Sequence, residues 1–377
     1  MNIIIYEDYY AENFEPISLT RPIFDIRYGE NTLLDRIKKI CPNDNLGLWV
    51  RDHLCDLVRE THPKLHVNRM PKEETLWLNA RVLWTDEMIT EIRKSPAMSF
   101  LDGDECIGAH LSGPVSVEWL HAGGPLSVFP PDEEIRHFNG STVFHYLWDF
   151  LSRIPDAIAD INLKSSKKKE MVSVIVDETN GPIIIHESAT IEPFTYLQGP
   201  LYIGENCTVM SHSKVKNSII GPGCKIGGEV SGTIIQGNSN KAHDGFLGDS
   251  FLGEWVNLGA GTTNSNLKNN YQHVSMSVNG VEEMSTRLFL GCFMGDHTKT
   301  SIGTLLNTGT NIGVGCNVLA QSFPKRVIPS FTFCVQGKHR KMDFDHFIET
   351  AVTVKNRRKL GISTAEKKLL KLIYLSR

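Results

Sequence analysis

The chain has 377 residues, of which 41% are hydrophobic and 22% charged, and it carries a formal charge of -4. That length exceeds what a single core usually sustains, so two domains are expected, and the slightly acidic balance argues against nucleic acid as a partner. No stretch reaches the roughly 18 apolar residues of a membrane span, and the opening MNIIIYEDYYAENFEP lacks the basic flank and apolar centre of a secretion signal. Both features predict a cytoplasmic protein. The eight cysteines form no C-x-x-C pair, so neither a zinc site nor a disulfide framework is suggested, and they read as small buried fillers.

In chain order, MNIIIY reads as a buried strand, TLLDRIKKI as a helix, LGLWV as a strand and HLCDLVRE as a helix. Such alternation favours a Rossmann-like parallel sheet covered by helices. FLDGDECIGAH reads as a hairpin whose turn uses Asp102 and Asp104, and HAGGPLSVFPP as a loop. STVFHYLWDFLSRIPDAIADI reads as one closing helix with an N-cap at Ser141 or Thr142, and the polar NLKSSKKKE, with its run Lys167 to Lys169, as a linker.

From Ile185 the period changes. Ile185, Ile191, Leu197, Ile203, Val209 and Val215 recur every six residues, and Ile220 to Ile226, Leu252 to Leu258 and Ile312 to Val318 resume the beat. Turn-forming residues follow in IGEN, IGPG, LGD and LGAG. This is the signature of a triangular parallel β-helix, whose aliphatic residues point inward and whose small residues take the corners. The register is lost between Asn264 and Leu288, either for function or to cover an edge, and the repeat stops near Pro329. Two helices follow, the second opened by Ser363 and Glu366. The expected organisation is an α/β domain over 1–165, an all-β, left-handed β-helix over 181–330 that packs as a trimer, and a helical extension over 331–377.

The stretch KAHDGFLGDSFLGEWVNLGAGTTNSN, residues 241 to 266, resembles the acetyltransferase half of the bacterial bifunctional enzymes that join N-acetylglucosamine-1-phosphate uridyltransferase to glucosamine-1-phosphate N-acetyltransferase. His243 stands four residues before LGD, and NLGAGT is followed by Asn266, as in that family. LTRPIFDIRYGENTLLDR is similar to a divergent branch that lacks the usual glycine-rich loop. The resemblance implies a UDP-N-acetylglucosamine-type pathway with acetyl-CoA as acyl donor and a sugar phosphate, an NTP and Mg²⁺ as further small partners. It implies His243 as general base and Asn266 as an orienting amide, with Asn257 at the substrate. The chemistry suits this assignment, because an imidazole titrating near about 6.5 can take the proton an amine must lose before it attacks a thioester.

The departures matter equally. Gly221 stands where the family has a phosphate-holding arginine, Ser231 where it has a lysine, and Phe246 and Leu267 where it has tyrosines, so donors to an anionic substrate are missing. Lys241, Lys268 and Arg287 are the candidate replacements. In the first half no G-x-G follows NIIIY. Arg21 and Arg27 could meet phosphates, and Asp25 or Asp8 could touch Mg²⁺, although Arg21 and Asp25 serve equally well as a structural ion pair. Three functions fit: a nucleotide-sugar enzyme active in both halves, a sugar-1-phosphate nucleotidyltransferase whose β-helix is structural or regulatory, and a non-catalytic ligand-binding scaffold.

Overall fold

A computed structural model describes residues 1–131, 134–161, 172–319, 322–335 and 337–376. The expected linker, residues 162–170 with its lysine run, lies outside the described residues. The chain forms two compact units. The first comprises Met1–Phe14, Thr20–Ile26 and Asn31–Tyr146, and the second Glu15–Leu19, Arg27–Glu30 and Leu147–Arg377.

The first unit is built on a seven-stranded sheet. Its strands are β1 (Asn2–Tyr6), β2 (Asn45–Trp49), β3 (His66–Val67), β4 (Thr75–Asn79), β5 (Met98–Asp102), β6 (Glu105–Leu111) and β7 (Ile135–Phe138), in the order β3-β2-β1-β4-β6-β5-β7. Strands β1 to β4 run parallel, as the alternating pattern predicts, and β6 runs against both β4 and β5. Helix α1 (Leu33–Ile40) opens on a capping box in which Thr32 and Asp35 satisfy each other's backbone N–H groups. The β5–β6 hairpin turns at Gly103 with φ 58°, as the D-G pair predicts.

The expected closing helix is instead two short ones, α2 (Leu147–Ser152) and α3 (Ile154–Ala159). Pro155 sits in the first turn of α3 and cannot donate to a preceding turn. Ser141 caps nothing; its N–H bonds to Asp102 Oδ2.

The second unit is a parallel β-helix. Its first face stacks Leu197, Val215, Val230 and Leu247 inward, followed by the pair Asn264 and Leu306. Its second face stacks Ile185, Ile203, Ile220, Ile235, Leu252, Met294, Ile312 and Ile328. The third stacks Ile191, Val209, Ile226 and Lys241, then, after the bridged outward residues Asn240, Asn257 and Lys299, Thr300, Val318 and Cys334. Sixteen of these inward residues belong to one continuous buried cluster of twenty-four, which is the predicted aliphatic ladder with a few substitutions. The stack begins earlier than the six-residue beat, at Ile175–Asp177, and continues to Thr332–Val335.

The stretch without register contains a hairpin, Ser275–Val278 against Val281–Met284. Val274, Met276 and Val278 are buried, and Ser277 O accepts from Asn311 Nδ2 at 2.7 Å, so the insertion covers the second face. Helices α4 (Phe344–Asn356) and α5 (Thr364–Ser376) follow as predicted, with Ser363 Oγ accepting from Glu366 N at 3.0 Å. They rest on a corner of the prism: Phe347 meets His297 and Phe331, and Arg358 donates to Asn240 Oδ1 at 2.9 Å.

Candidate active sites in the two units

In an open α/β sheet, side chains placed just past the carboxyl ends of the strands converge on one edge. Asp8 follows β1 there, Asn79 ends β4 and precedes Arg81, and Glu105 begins the reversed strand β6. Arg81 is 1% exposed and donates to both oxygens of Asp8 at 2.7–3.0 Å, to Glu105 Oε2 at 2.7 Å and to Phe144 O at 3.1 Å. Asn79 Nδ2 adds a 2.9 Å bond to Asp8, and His145 Nε2 lies 3.2 Å from Glu105 Oε1. Burial alone would lower the Arg81 guanidinium, but Asp8 and Glu105 outweigh it and raise it. Glu105 is held down to about 2, chiefly by His145 and then by Arg81. Beside this network Tyr10 lies under the guanidinium, 4.6 Å from it, and the half-exposed rings of Tyr9 and Phe129 meet edge to face.

The segment after β1 is organised by a carboxylate. Glu7 is fully buried. Its oxygens accept from Ile23 N at 3.0 Å, from Arg51 N at 3.1 Å and from the Arg51 guanidinium at 3.0 and 3.2 Å. Backbone N–H groups and a guanidinium are what a phosphate would otherwise attract, so this segment is folded around its own anion. Arg21 is half-buried. Arg27 belongs to the second unit, where Nε donates to Gln236 O at 2.8 Å and Nη1 to Glu30 O at 2.9 Å; it is buried, contrary to its expected role at a phosphate. Asp25 and Asp8 do not come together as metal ligands. Asp25 has both oxygens 3.0 Å from His62 Nε2, and Asp8 is neutralised by Arg81. Among the described residues no group of three or more His, Cys, Asp or Glu side chains is arranged to hold a metal, and with Asp8 taken up by Arg81 and Asp25 by His62 neither carboxylate is placed as an Mg²⁺ ligand.

In the β-helix, His243 lies exposed in the bend between the third and first faces. Lys241, expected as a donor to an anionic substrate, is instead 2% exposed and points into the prism. Its ammonium donates to Gly227 O at 2.9 Å and to His243 O, and burial lowers it to about 8 against a small opposing pull from Asp244. Asn266 lies one corner further along, where Nδ2 donates to Asp249 Oδ2 at 2.7 Å. Arg287 Nη2 stands 3.5 Å from the same carboxylate. Burial raises Asp249, while Asn266 and Arg287 oppose it. The Phe246 ring lies across Gly248, beside Asn266: a Cβ on Gly248 would come within 2.4 Å of the ring and 2.9 Å of Asn266 Nδ2. Asn257 is exposed on the third face and accepts from Asn240 Nδ2 at 3.2 Å. Lys268 Nζ is tied to His273 O at 2.8 Å. A side chain at Gly221 is excluded by packing, since its Cβ would lie 2.1 Å from Gln236 O.

Sequence reasoning missed Arg81, Asn79, Glu105, His145 and Asp249. Asp249 lay in view in LGD. The other four are distant in sequence, and only the reversed strand β6 brings Glu105 to Arg81.

Residues 3–169 match the sugar nucleotidyl transferase family, and bifunctional enzymes are found among similar curated proteins. A bifunctional sugar-1-phosphate nucleotidylyltransferase/acetyltransferase of Sulfurisphaera tokodaii is 35% identical over 151 residues, 39% of this chain and 37% of its own. The bifunctional protein GlmU of Methanococcus vannielii is 33% identical over 126 residues, 32% and 28% of the two chains. That of Nostoc is 25% identical over 294 residues, 71% and 54%. The matches thus span from under a third to about half of these relatives' length. A hexapeptide transferase family protein of Anaplasma phagocytophilum is 16% identical over a match that covers 54% of this chain and 98% of its own, with a TM-score of 0.34.

Proposed function

We propose that the chain is a cytoplasmic, bifunctional enzyme of nucleotide-sugar synthesis, of the kind that makes UDP-N-acetylglucosamine. The first unit joins a sugar-1-phosphate to an NTP, and the β-helix, assembled as a homotrimer, transfers an acetyl group from acetyl-CoA to an amino sugar. What carries the reading is the exposed imidazole of His243 on a corner whose backbone is fixed from within. The repeat has no need of an imidazole there, since corners ask only for small or polar residues.

In acetyl transfer the amine nitrogen forms its bond to the thioester carbonyl, the carbon–sulfur bond breaks, and the amine proton moves through His243 to the departing thiolate. Asp249 holds the Asn266 N–H, which leaves the Asn266 carbonyl oxygen to orient the amine. Asn257 is exposed for a sugar hydroxyl, and Lys268 is the cation nearest in sequence for a phosphate. In the first unit, the family match and the polar cluster past β1 and β4 support nucleotidyl transfer, in which a sugar phosphate oxygen attacks the α-phosphorus and expels pyrophosphate. The exposed Tyr9 and Phe129 rings offer a base a surface to stack on, and half-buried Arg21 is the arginine proposed to meet the phosphates.

The packing at Gly221 favours a second reading, a nucleotidyltransferase whose β-helix only assembles and regulates it, because the phosphate-holding arginine of the related enzymes has no room here. His243→Gln separates the two. Under the bifunctional reading, acetyl transfer falls by roughly 10²-fold or more while the fold and nucleotidyl transfer persist; under the second, the wild type transfers no acetyl group to any amino sugar.

A further inference from the structure

The third and first faces of the β-helix are joined by a series of stacked corners. After Ile191, Val209, Leu258 and Thr300 the corner has four residues, and in each the fourth is a hydroxyl residue: Thr195, Ser213, Thr262 and Thr304. These hydroxyls fold inward onto corner carbonyls. Thr195 Oγ1 donates to Glu192 O at 2.8 Å, Ser213 Oγ to Met210 O at 2.6 Å and Thr304 Oγ1 to Ser301 O at 2.9 Å. Thr195 and Thr262 also reach the first carbonyl of the next corner, at 3.3 and 3.4 Å.

Two successive corners break the rule. After Ile226 the corner is only Gly227 and Gly228, and after Lys241 it is Ala242, His243, Asp244 and Gly245, so neither supplies a hydroxyl. The Lys241 ammonium takes their place from inside the prism, with one N–H on Gly227 O of the first corner and another on His243 O of the second. It lies where only glycine can stand beside it, since a Cβ on Gly228 would be 3.0 Å from Nζ and 2.7 Å from Gly245 O. A lysine stacked directly on Ile226 in an aliphatic column is costly to bury, and an aliphatic residue would serve the core better. The cost has a local return. It closes the two corners that lack their own donors, and one of these carries the imidazole.

We infer that Lys241 is a positioning residue for His243, an internal tie that fixes the bend from which the imidazole is presented to an acyl acceptor. The inference rests on the reading of His243 as the base. A base displaced by about 1 Å can lose 10²-fold in rate while substrate binding is kept, so the tie acts on kcat rather than KM.

The test uses the full chain as wild type, Lys241→Met and Lys241→Arg, followed by amide hydrogen exchange with mass-spectrometric readout and by steady-state acetyl transfer. Methionine keeps the length and suits the aliphatic column, so the coil should fold. In Lys241→Met the amides of residues 243–246 should exchange about ten-fold faster or more, while the corners at 211–214 and 260–263 exchange as in wild type. The same variant should lose about ten-fold or more in kcat with KM for acetyl-CoA within about three-fold, and Lys241→Arg should recover part of the loss. An unchanged exchange rate at 243–246 overturns the inference, and so does a general loss of protection along residues 215–252, which would make Lys241 a core residue only. Faster exchange confined to that corner, in a protein whose wild type transfers no acetyl group, leaves the tie standing and removes the base role of His243.

Discussion

Arg81 grips Asp8 through both carboxylate oxygens at 2.7–3.0 Å while only 1% of the arginine remains exposed. A buried pair of this kind is weak evidence for stability by itself, yet removing one partner strands the other charge. Arg81→Met should therefore cost about 3–5 kcal/mol in denaturant unfolding of the first unit, and the added change Asp8→Asn should recover much of it. A single substitution that leaves the unfolding midpoint in place would show that Asp8 finds its charge balance elsewhere.

Glu105 gives a prediction about acid. Its folded pKa of about 2 lies below the ordinary 4.5, so the unfolded chain binds the proton more tightly across that interval. The stability it contributes is complete above about 4.5 and is lost as pH falls toward 2. Glu105→Gln should thus unfold with a shallower dependence on pH between these values than wild type. Parallel curves for the two proteins would mean that His145 and Arg81 do not hold the carboxylate down.

Lys241 has a pH signature of the same sign at the alkaline end, although here it is a cost that is relieved. Its folded pKa of about 8 lies below the ordinary 10.5, so between these values the unfolded chain again holds more protons, and stability rises with pH across the window. Below about 8 the cost of the buried ammonium is constant. Melting temperatures from pH 8 to 10.5 should rise for wild type relative to Lys241→Met; if the difference between the two stays flat, the ammonium is more hydrated than its burial implies.

Gly221→Arg, which restores the residue type of related enzymes, should not restore phosphate binding. Its Cβ would lie 2.1 Å from Gln236 O, and overpacking of this kind costs about 1–3 kcal/mol or more. A variant that keeps its stability and gains affinity for a sugar phosphate would show that the coil can open at this corner.

The six-residue beat made the β-helix legible because each aliphatic position is inward and 0–2% exposed along most of the ladder, as at Leu197, Val209, Ile220 and Leu252. The beat failed where the corner after Ile226 shortens. Lys241 follows Ile226 by fifteen residues instead of eighteen, so a residue of the interior column fell out of phase and read as a substrate donor. The single closing helix failed for a local reason, since Pro155 restarts the chain as α3. Asp8 was visible as an acidic residue after a buried strand, but Arg81 and Glu105 carry no spacing signal: their meeting depends on one strand running against its neighbours. His243 and Asn266 were legible through the resemblance alone. The bond from Asn266 to Asp249 was not, because it spans one turn of the prism rather than a sequence interval.

The claim that one chain carries two transfer reactions is tested most directly by the products of the wild-type protein. The purified 377-residue chain is incubated with a panel of amino-sugar 1-phosphates and hexose 1-phosphates, acetyl-CoA, NTPs and Mg²⁺, and the mixture is resolved by mass spectrometry. The account predicts free CoA together with an N-acetylated sugar phosphate from one member of the panel, and pyrophosphate together with the corresponding nucleotide sugar. Nucleotide sugar without acetylation from any amino sugar would contradict the acyl-transfer half, and the absence of both products across the panel would contradict the account as a whole.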